Sequence, residues 1–281
     1  KYLIIISIVK KTLNLYYENS IKFSYDEYYS KSQLQIESFN IIEIGAVQLS
    51  VEKEPFYQLL DHFPSSKITG FELEKEVCSK MNSNAAKGVK YYPHALGSAN
   101  ERRKLYVTIN PMCTSLYKPN EQLLKLYNKF EVAYLKEEKE IDTITLDSFV
   151  KENKIGEIDF IKIDVQGAEL EVLKGSKSTL KNVVGLEVEV NFKYIYHDIP
   201  LAKDVENFLN SQGFILNDYL TLFRWERTMH RGFGEIIHGD ALFLRSPENI
   251  IKMSNKLQDP IKLIENYVKI LFIYNKLDLI N

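Results

Sequence analysis

The chain alternates short apolar runs with stretches of helical spacing. Phe39 to Gly45 (FNIIEIG) is a compact apolar run closing on a glycine, the pattern of a parallel strand buried on both faces. Helical spacing follows over Glu54 to His62, a strand pattern over Lys67 to Leu73, a helix over Glu74 to Ala86 and a strand over Val89 to Leu96. This alternation predicts a parallel sheet with right-handed crossovers. It breaks between Gly97 and Asp147, where a hairpin segment (Lys104 to Ile109), a loop (Asn110 to Asn120) and a charged run follow one another. No linker-like composition bounds that stretch, so it reads as an elaboration of the sheet rather than a second domain. Ile158 to Ser176 restores a strand-turn-helix pattern. Val183 to Val190, Phe214 to Leu220 and His238 to Arg245 read as further strands, with a helix over Asp204 to Phe214. The expected organisation is a helical lead-in over 1–38, one α/β domain over 39–245 and an amphipathic helical tail over 246–281.

Composition narrows the choice of partners. Hydrophobic residues make up 45% of the 281 and charged residues 26%, enough apolar surface for a substantial core. The formal net charge of -2 lacks the basic excess of a nucleic-acid binder. Cys78 and Cys113 stand far apart with no CxxC spacing, which predicts neither a disulfide scaffold nor a zinc ribbon and suits a reducing, cytoplasmic setting. The five histidines show no HxxxH spacing, so no metal site is expected. The apolar run from Tyr2 to Val9 is too short to cross a bilayer, and no integral membrane segment is expected.

In an open parallel sheet the ligand sits beyond the carboxyl ends of the strands, so the residues closing each strand carry the chemistry. The first strand closes as Glu43-Ile44-Gly45-Ala46, the second at Glu72 and the third at Ala95-Leu96. The fourth closes at Asp164, followed by Val165-Gln166-Gly167. An acid at the end of the second strand can accept both hydroxyls of a ribose, and a glycine after the first lets a ligand approach the backbone. A dinucleotide fold needs GxGxxG to cradle a pyrophosphate, but Gly45 is followed by AVQLS and the whole chain has only 12 glycines. S-adenosylmethionine has a ribose and an amino-acid tail but no phosphate, and it fits this loop better. Glu43 would help position the tail's ammonium group and Glu72 would hold the ribose.

IDFIKIDVQGAELEVLKG, with LEVEV after it and GDALFLR near the end, resembles the FkbM family of S-adenosylmethionine-dependent methyltransferases. IIEIGAVQLS, GFELEKEVCSKMN, HALGS and CTSLYKPN fall in that family's order, so the resemblance runs from about Phe39 to Arg245. It implies a class I Rossmann-like fold, with a seven-stranded, mostly parallel sheet whose last strand is antiparallel and helices on both faces. It also implies O-methylation of a sugar or polyketide hydroxyl, the acceptor being a hydroxyl-bearing small molecule or glycan precursor. By that resemblance Glu43, Gly45 and Ala46 form the first cofactor loop, Glu72 stands at the ribose, and Ala95 and Leu96 close the third strand beside the cofactor. Asp164 stands where the methyl group is passed on, either as the base that takes the hydroxyl proton or as a ligand of the cofactor's ammonium group.

Two departures stand out. Val47-Gln48-Leu49-Ser50 replaces the family's Asn-x-Gly continuation, and the polar pair His238-Gly239 occupies a position expected to be less polar. Ser115, Tyr117, Gln166 and Glu189 are candidate substrate contacts, Glu169 reads as a helix-start residue, and His94 and His238 are weaker candidates for a base. Arg224 to Arg231 reads as a charge-rich surface turn. Two other classes remain open at this point: an NAD- or nucleotide-dependent enzyme on the same architecture, and a non-catalytic binding module that has kept the fold.

Overall fold

The computed structural model describes residues 38–45, 54–228, 232–257 and 260–280. The expected lead-in over 1–38 therefore lies outside the described residues except for Ser38, as do Ala46 and the Val47–Ser50 departure.

The elements follow the apolar pattern closely. β1 (Asn40–Ile44) leads to a 3-10 turn (Pro55–Tyr57) and α1 (Gln58–His62), then β2 (Lys67–Phe71), α2 (Lys75–Asn84) and β3 (Val89–Tyr92). The strand expected over Val89 to Leu96 is two strands in two sheets. Pro93 has no N–H to donate to a ladder, so β3 stops at Tyr92 and the chain crosses over to pair as β4 (Ala95–Leu96). β5 (Glu101–Thr108), α3 (Glu121–Leu124) and β6 (Leu135–Ile144) make up the elaboration, in which β4, β6 and β5 form a separate three-stranded sheet in that order. α4 (Leu146–Glu152) begins at Thr145, whose hydroxyl accepts the Ser148 N–H, a side-chain N-cap.

β7 (Phe160–Ile163), α5 (Glu169–Lys174), β8 (Gly185–Asn191), α6 (Ala202–Ser211), β9 (Phe214–Trp225) and β10 (Glu235–Arg245) complete the domain. The tail forms α7 (Pro247–Ser254) and α8 (Pro260–Ile273). β9 and β10 are longer than the apolar pattern indicated, and Arg224 and Trp225 lie inside β9 rather than in a turn.

The main sheet has seven strands in the order β3-β2-β1-β7-β8-β10-β9. β10 runs antiparallel to both neighbours, and the other pairs are parallel. This is the seven-stranded, mostly parallel Rossmann-like arrangement with an antiparallel last strand. The strand order reverses between β1 and β7, so the crevice that binds ligands in such sheets opens at their carboxyl ends.

Helices cover both faces. One face packs Ile42, Ile44, Ile163, Val188 and Phe243 against Phe149 of α4, Val172 of α5 and Leu209 of α6. The other packs Ile41, Phe160 and Leu242 against Leu59 of α1 and against Leu263 and Ile270 of α8. Among the described residues no helix is long and apolar enough to cross a membrane.

Candidate functional site

Gly45 closes β1 with φ +81°, a conformation L side chains rarely adopt. A Cβ added there would stand 1.7 Å from the Asp164 carbonyl oxygen. The close approach expected of a ligand is made by the chain's own backbone, because this glycine brings the ends of β1 and β7 together. Glu43 precedes it and is buried, at 4% exposure. The Tyr57 hydroxyl donates to its Oε2 at 2.6 Å and lies 2.9 Å from the Tyr91 hydroxyl. Burial pushes the Glu43 carboxyl up to about 7, against the hydrogen bond from Tyr57.

Glu72 follows β2, and its Oε1 accepts the Glu74 N–H at 3.0 Å. Burial raises its pKa above the ordinary carboxylate range. Ala95 and Leu96 sit in β4 of the small sheet, paired with Thr143 and Ile144, and Leu96 is part of the core beneath the crevice. His94, before them, packs edge-on against Phe149.

The turn after β7 is the most elaborately held part of the crevice. Gln166 has φ +55° and Gly167 φ +100°. The Ser115 hydroxyl donates to the Gln166 carbonyl at 2.6 Å, and the buried Glu169 Oε1 accepts the N–H groups of Val165 and Gly167 at 3.0 and 2.9 Å. Ser115 thus braces the turn. Glu169 does more than begin a helix: it ties both ends of the turn, and burial pushes its carboxyl up to about 8. Tyr117 donates to Glu171 Oε1 at 2.7 Å, beside the forked Arg103–Glu171 pair, and so anchors the small sheet to α5.

The Gln166 side chain gathers the acids. Its Nε2 donates to Asp164 Oδ1 at 2.9 Å and to Glu189 Oε2 at 3.1 Å, while Tyr196 donates to its Oε1 at 3.2 Å. Burial, and then the Asp164 and Asp240 carboxylates, push Glu189 well above the ordinary range. His238 Nδ1 lies 2.8 Å from Glu189 Oε1. This accounts for the unexpected polar pair: His238 belongs to the cluster, and a Cβ on Gly239 would stand 2.4 Å from the Thr221 carbonyl oxygen.

Sequence reasoning missed the next layer. Lys162 is buried with Nζ 3.2 Å from Glu187 Oε1 and 3.0 Å from Asp240 Oδ1. Burial alone would lower its pKa, but Glu187, Asp164, Asp240 and Glu54 outweigh burial and hold it well above its usual value. The signal was present in β7, where a lysine interrupts the apolar run Phe160-Ile161-Lys162-Ile163. Tyr57, Tyr91 and Tyr196 had no comparable signal, since one tyrosine among 18 carries no positional information.

The charge balance tests which cofactor fits. Glu43, Glu72, Asp164, Glu189 and Asp240 crowd the carboxyl ends of the strands, with Lys162 the buried ammonium among them. Burial holds Glu43 and Glu189 towards their neutral forms. Even so the site is acidic, and among the described residues it offers no unpaired cation to a pyrophosphate, Lys162 being held by Glu187 and Asp240. Glu72 places a carboxyl at the end of β2, and Glu43 and Asp164 flank Gly45. The site fits S-adenosylmethionine and not a dinucleotide. Among the described residues no group of three or more His, Cys, Asp or Glu side chains is placed to hold a metal ion.

No curated protein matches the chain. Among solved structures, it is similar to the CMeT domain of the citrinin polyketide synthase, with 11% identity and TM-score 0.36 over 78% of this chain and 49% of that one. LepI in complex with SAM matches with 8% identity and TM-score 0.32, over 79% of this chain and 47% of LepI. An uncharacterized protein from Listeria monocytogenes serotype 4b matches with 12% identity and TM-score 0.36, over 92% and 98% of the two chains. The chain spans about half the length of the first two. A family model described as "Methyltransferase FkbM domain" matches residues 43–216, more than half of the 281. The match runs from Glu43 of β1 into β9 and takes in the ends of β1, β2, β7 and β8, and the chain belongs to the FkbM family of S-adenosylmethionine-dependent methyltransferases.

Proposed function

We propose that this methyltransferase acts on oxygen, placing the methyl group on a hydroxyl of a sugar, a glycan precursor or a polyhydroxylated natural product. The observation carrying this reading is the Asp164–Gln166–Glu189–His238 cluster at the ends of β7 and β8. A hydroxyl is a poor nucleophile until a neighbouring group takes its proton, and the cluster offers a carboxylate and an imidazole for that purpose. When bound, the cofactor supplies an electrophilic methyl group on a sulfonium.

The residues divide the remaining work. Glu72 holds the ribose hydroxyls, Glu43 and the backbone around Gly45 bound the amino-acid tail, and Ala95 and Leu96 border the adenine side. Ala46 belongs to the same loop. Asp164 faces this half of the site through its backbone contact with Gly45, which supports a role in orienting the ammonium group. Gln166 and Glu189 face the acceptor, with Ser115 and Tyr117 bracing that side from the small sheet. Aligning the reacting atoms can supply about 7–11 kcal/mol of the barrier. Cys78 and Cys113 are both free thiols, which supports a reducing, cytoplasmic setting.

The test is calorimetric titration with S-adenosylhomocysteine, followed by a methyl-transfer screen over glycosides. Asp164→Asn is expected to weaken S-adenosylhomocysteine at least tenfold. Unchanged affinity with collapsed turnover would move Asp164 to the proton-accepting role. Methylation of a carbon or nitrogen instead of a hydroxyl would overturn the reading.

A further inference from the structure

His238 and Glu189 form a pair whose geometry suits proton transfer better than that of Asp164. His238 sits on β10 directly opposite Asn191, the last residue of β8, and therefore at the carboxyl edge of the sheet. Its ring is fixed between two aromatics, stacked on Phe223 with centroids 4.5 Å apart and 12° between planes, and edge-on to Trp225 at 5.9 Å. Nδ1 is buried 2.8 Å from Glu189 Oε1, a close contact without an aligned hydrogen bond, yet the side chain keeps 19% exposure. The exposed edge is therefore the opposite one, which carries Nε2. Asp164, in contrast, has its backbone packed on Gly45 and its Oδ1 taken by Gln166.

We propose that His238, oriented by Glu189, is the group that accepts the proton of the acceptor hydroxyl. This inference rests on the O-methylation reading above. In the step, the hydroxyl O–H bond breaks and its proton bonds to Nε2. The oxygen keeps the electron pair that forms the new bond to carbon, the carbon's bond to the sulfonium sulfur breaks with its electron pair leaving on sulfur, and the imidazolium later returns the proton to solvent through its exposed edge.

The surroundings suit that cycle. Glu189 Oε2 and Asp164 Oδ1 are bridged by one amide group of Gln166. Glu189 Oε1, 2.8 Å from Nδ1, faces the ring that would carry the positive charge. Burial holds His238 below its ordinary pKa, against the Asp164, Asp240 and Glu169 carboxylates that face it. Lys162 neutralises Asp240 in turn. The ring is therefore neutral, and able to accept, near pH 7. A second observation bears on this corner: the amide of Asn191 is buried with neither atom hydrogen-bonded, a condition that is costly until a partner arrives.

The test uses the full chain in two arms. In the first, long-range 15N NMR of the imidazoles reads which nitrogen of neutral His238 carries the proton. Nδ1–H with a bare Nε2 is expected, and loss of that preference in Glu189→Leu; an Nε2–H tautomer in the unsubstituted protein overturns the proposal. In the second, labelled methyl transfer to a panel of p-nitrophenyl glycosides is followed in His238→Gln. We expect kcat to fall ~10²–10⁴-fold, the acidic limb of the pH profile to vanish, and affinity for S-adenosylhomocysteine to stay within twofold. Retained kcat with an unshifted profile on a hydroxyl acceptor overturns the His238 role alone. A product methylated on carbon or nitrogen overturns the O-methylation reading with it. If no glycoside is turned over, the tautomer decides.

Discussion

The two faces of the central sheet are built from alternate residues of the same strands, yet they meet opposite conditions. Towards α4, α5 and α6 the strands present Ile42, Ile44, Ile161, Ile163, Leu186 and Val188, without a polar side chain among them. Towards α1 and α8 they begin apolar, with Ile41, Phe160 and Leu242. They then turn ionic at the carboxyl ends, with Glu43, Lys162, Glu187, Glu189 and Asp240 all buried or nearly so. Burying charge is costly unless it is paired, so a fold selected for stability alone would have continued the hydrocarbon pattern. One face is hydrocarbon along β1, β7 and β8, and the other ends in a paired ionic row at the carboxyl ends of its strands.

The strongest way to break that comparison is to remove the central cation. Lys162→Met leaves Glu187 and Asp240 buried without their ammonium partner, and breaking such a network costs about 3–5 kcal/mol. Ile163→Val, one residue away on the apolar face, should cost only about 0.5–1.5 kcal/mol. Urea unfolding of both variants checks the order. If Lys162→Met costs no more than Ile163→Val, the ionic row is not held by its pairing and the contrast between the faces fails.

This contrast also explains how much was legible in the chain. The apolar face writes itself into the sequence as short Ile/Val/Leu runs, so β1, β2, β7 and β8 could be located, and so could the acids that end three of them. Pairing was not legible. Glu43 stood out as an acid after an apolar run, but its partners Tyr57 and Tyr91 come from elsewhere in the chain, and the contact exists only once β3 and the 3-10 turn before α1 have folded against β1. Asp164 and Gln166 were found as a motif, whereas the imidazole 2.8 Å from Glu189 arrives from a strand almost fifty residues away. Pro93 was visible, but its consequence, a chain that leaves one sheet for another, depends on β6 being there to receive Ala95 and Leu96. Sequence spacing encodes which face a residue occupies, and tertiary contact decides what it meets there.

An intermediate effect should separate the faces by pH. Burial moves the Glu43 carboxyl from 4.5 to about 7 in the folded protein. The folded state thus holds that proton more tightly than the unfolded chain does. The associated stability is complete below about pH 4.5 and is lost as pH rises through about 7. The size is roughly 3–4 kcal/mol, from about 1.4 kcal/mol per pH unit. Glu169, pushed up to about 8, acts in the same direction over a slightly higher window. Denaturant midpoints measured from pH 5 to pH 8 should fall for the unsubstituted protein and fall less for Glu43→Gln. Ile163→Val should keep the full slope, and an equal flattening by that variant would show that the pH dependence does not come from the ionic face.

The smallest effect concerns the tail. Tyr274, just past α8, stacks on Phe160 with centroids 5.3 Å apart and donates its hydroxyl to Glu187 Oε2 at 2.7 Å. The tail therefore reaches past the apolar part of its face and touches the same carboxylate that Lys162 neutralises. Tyr274→Phe keeps the ring and removes one hydrogen bond, a loss of about 1 kcal/mol. Its informative use is in a double-mutant cycle with Lys162→Met, because both residues hold Glu187. A coupling above about 0.5 kcal/mol would show that the tail is part of the ionic network and not only a cover for hydrocarbon. Strict additivity would detach the tail from the network and restrict the ionic face to the strands and α1.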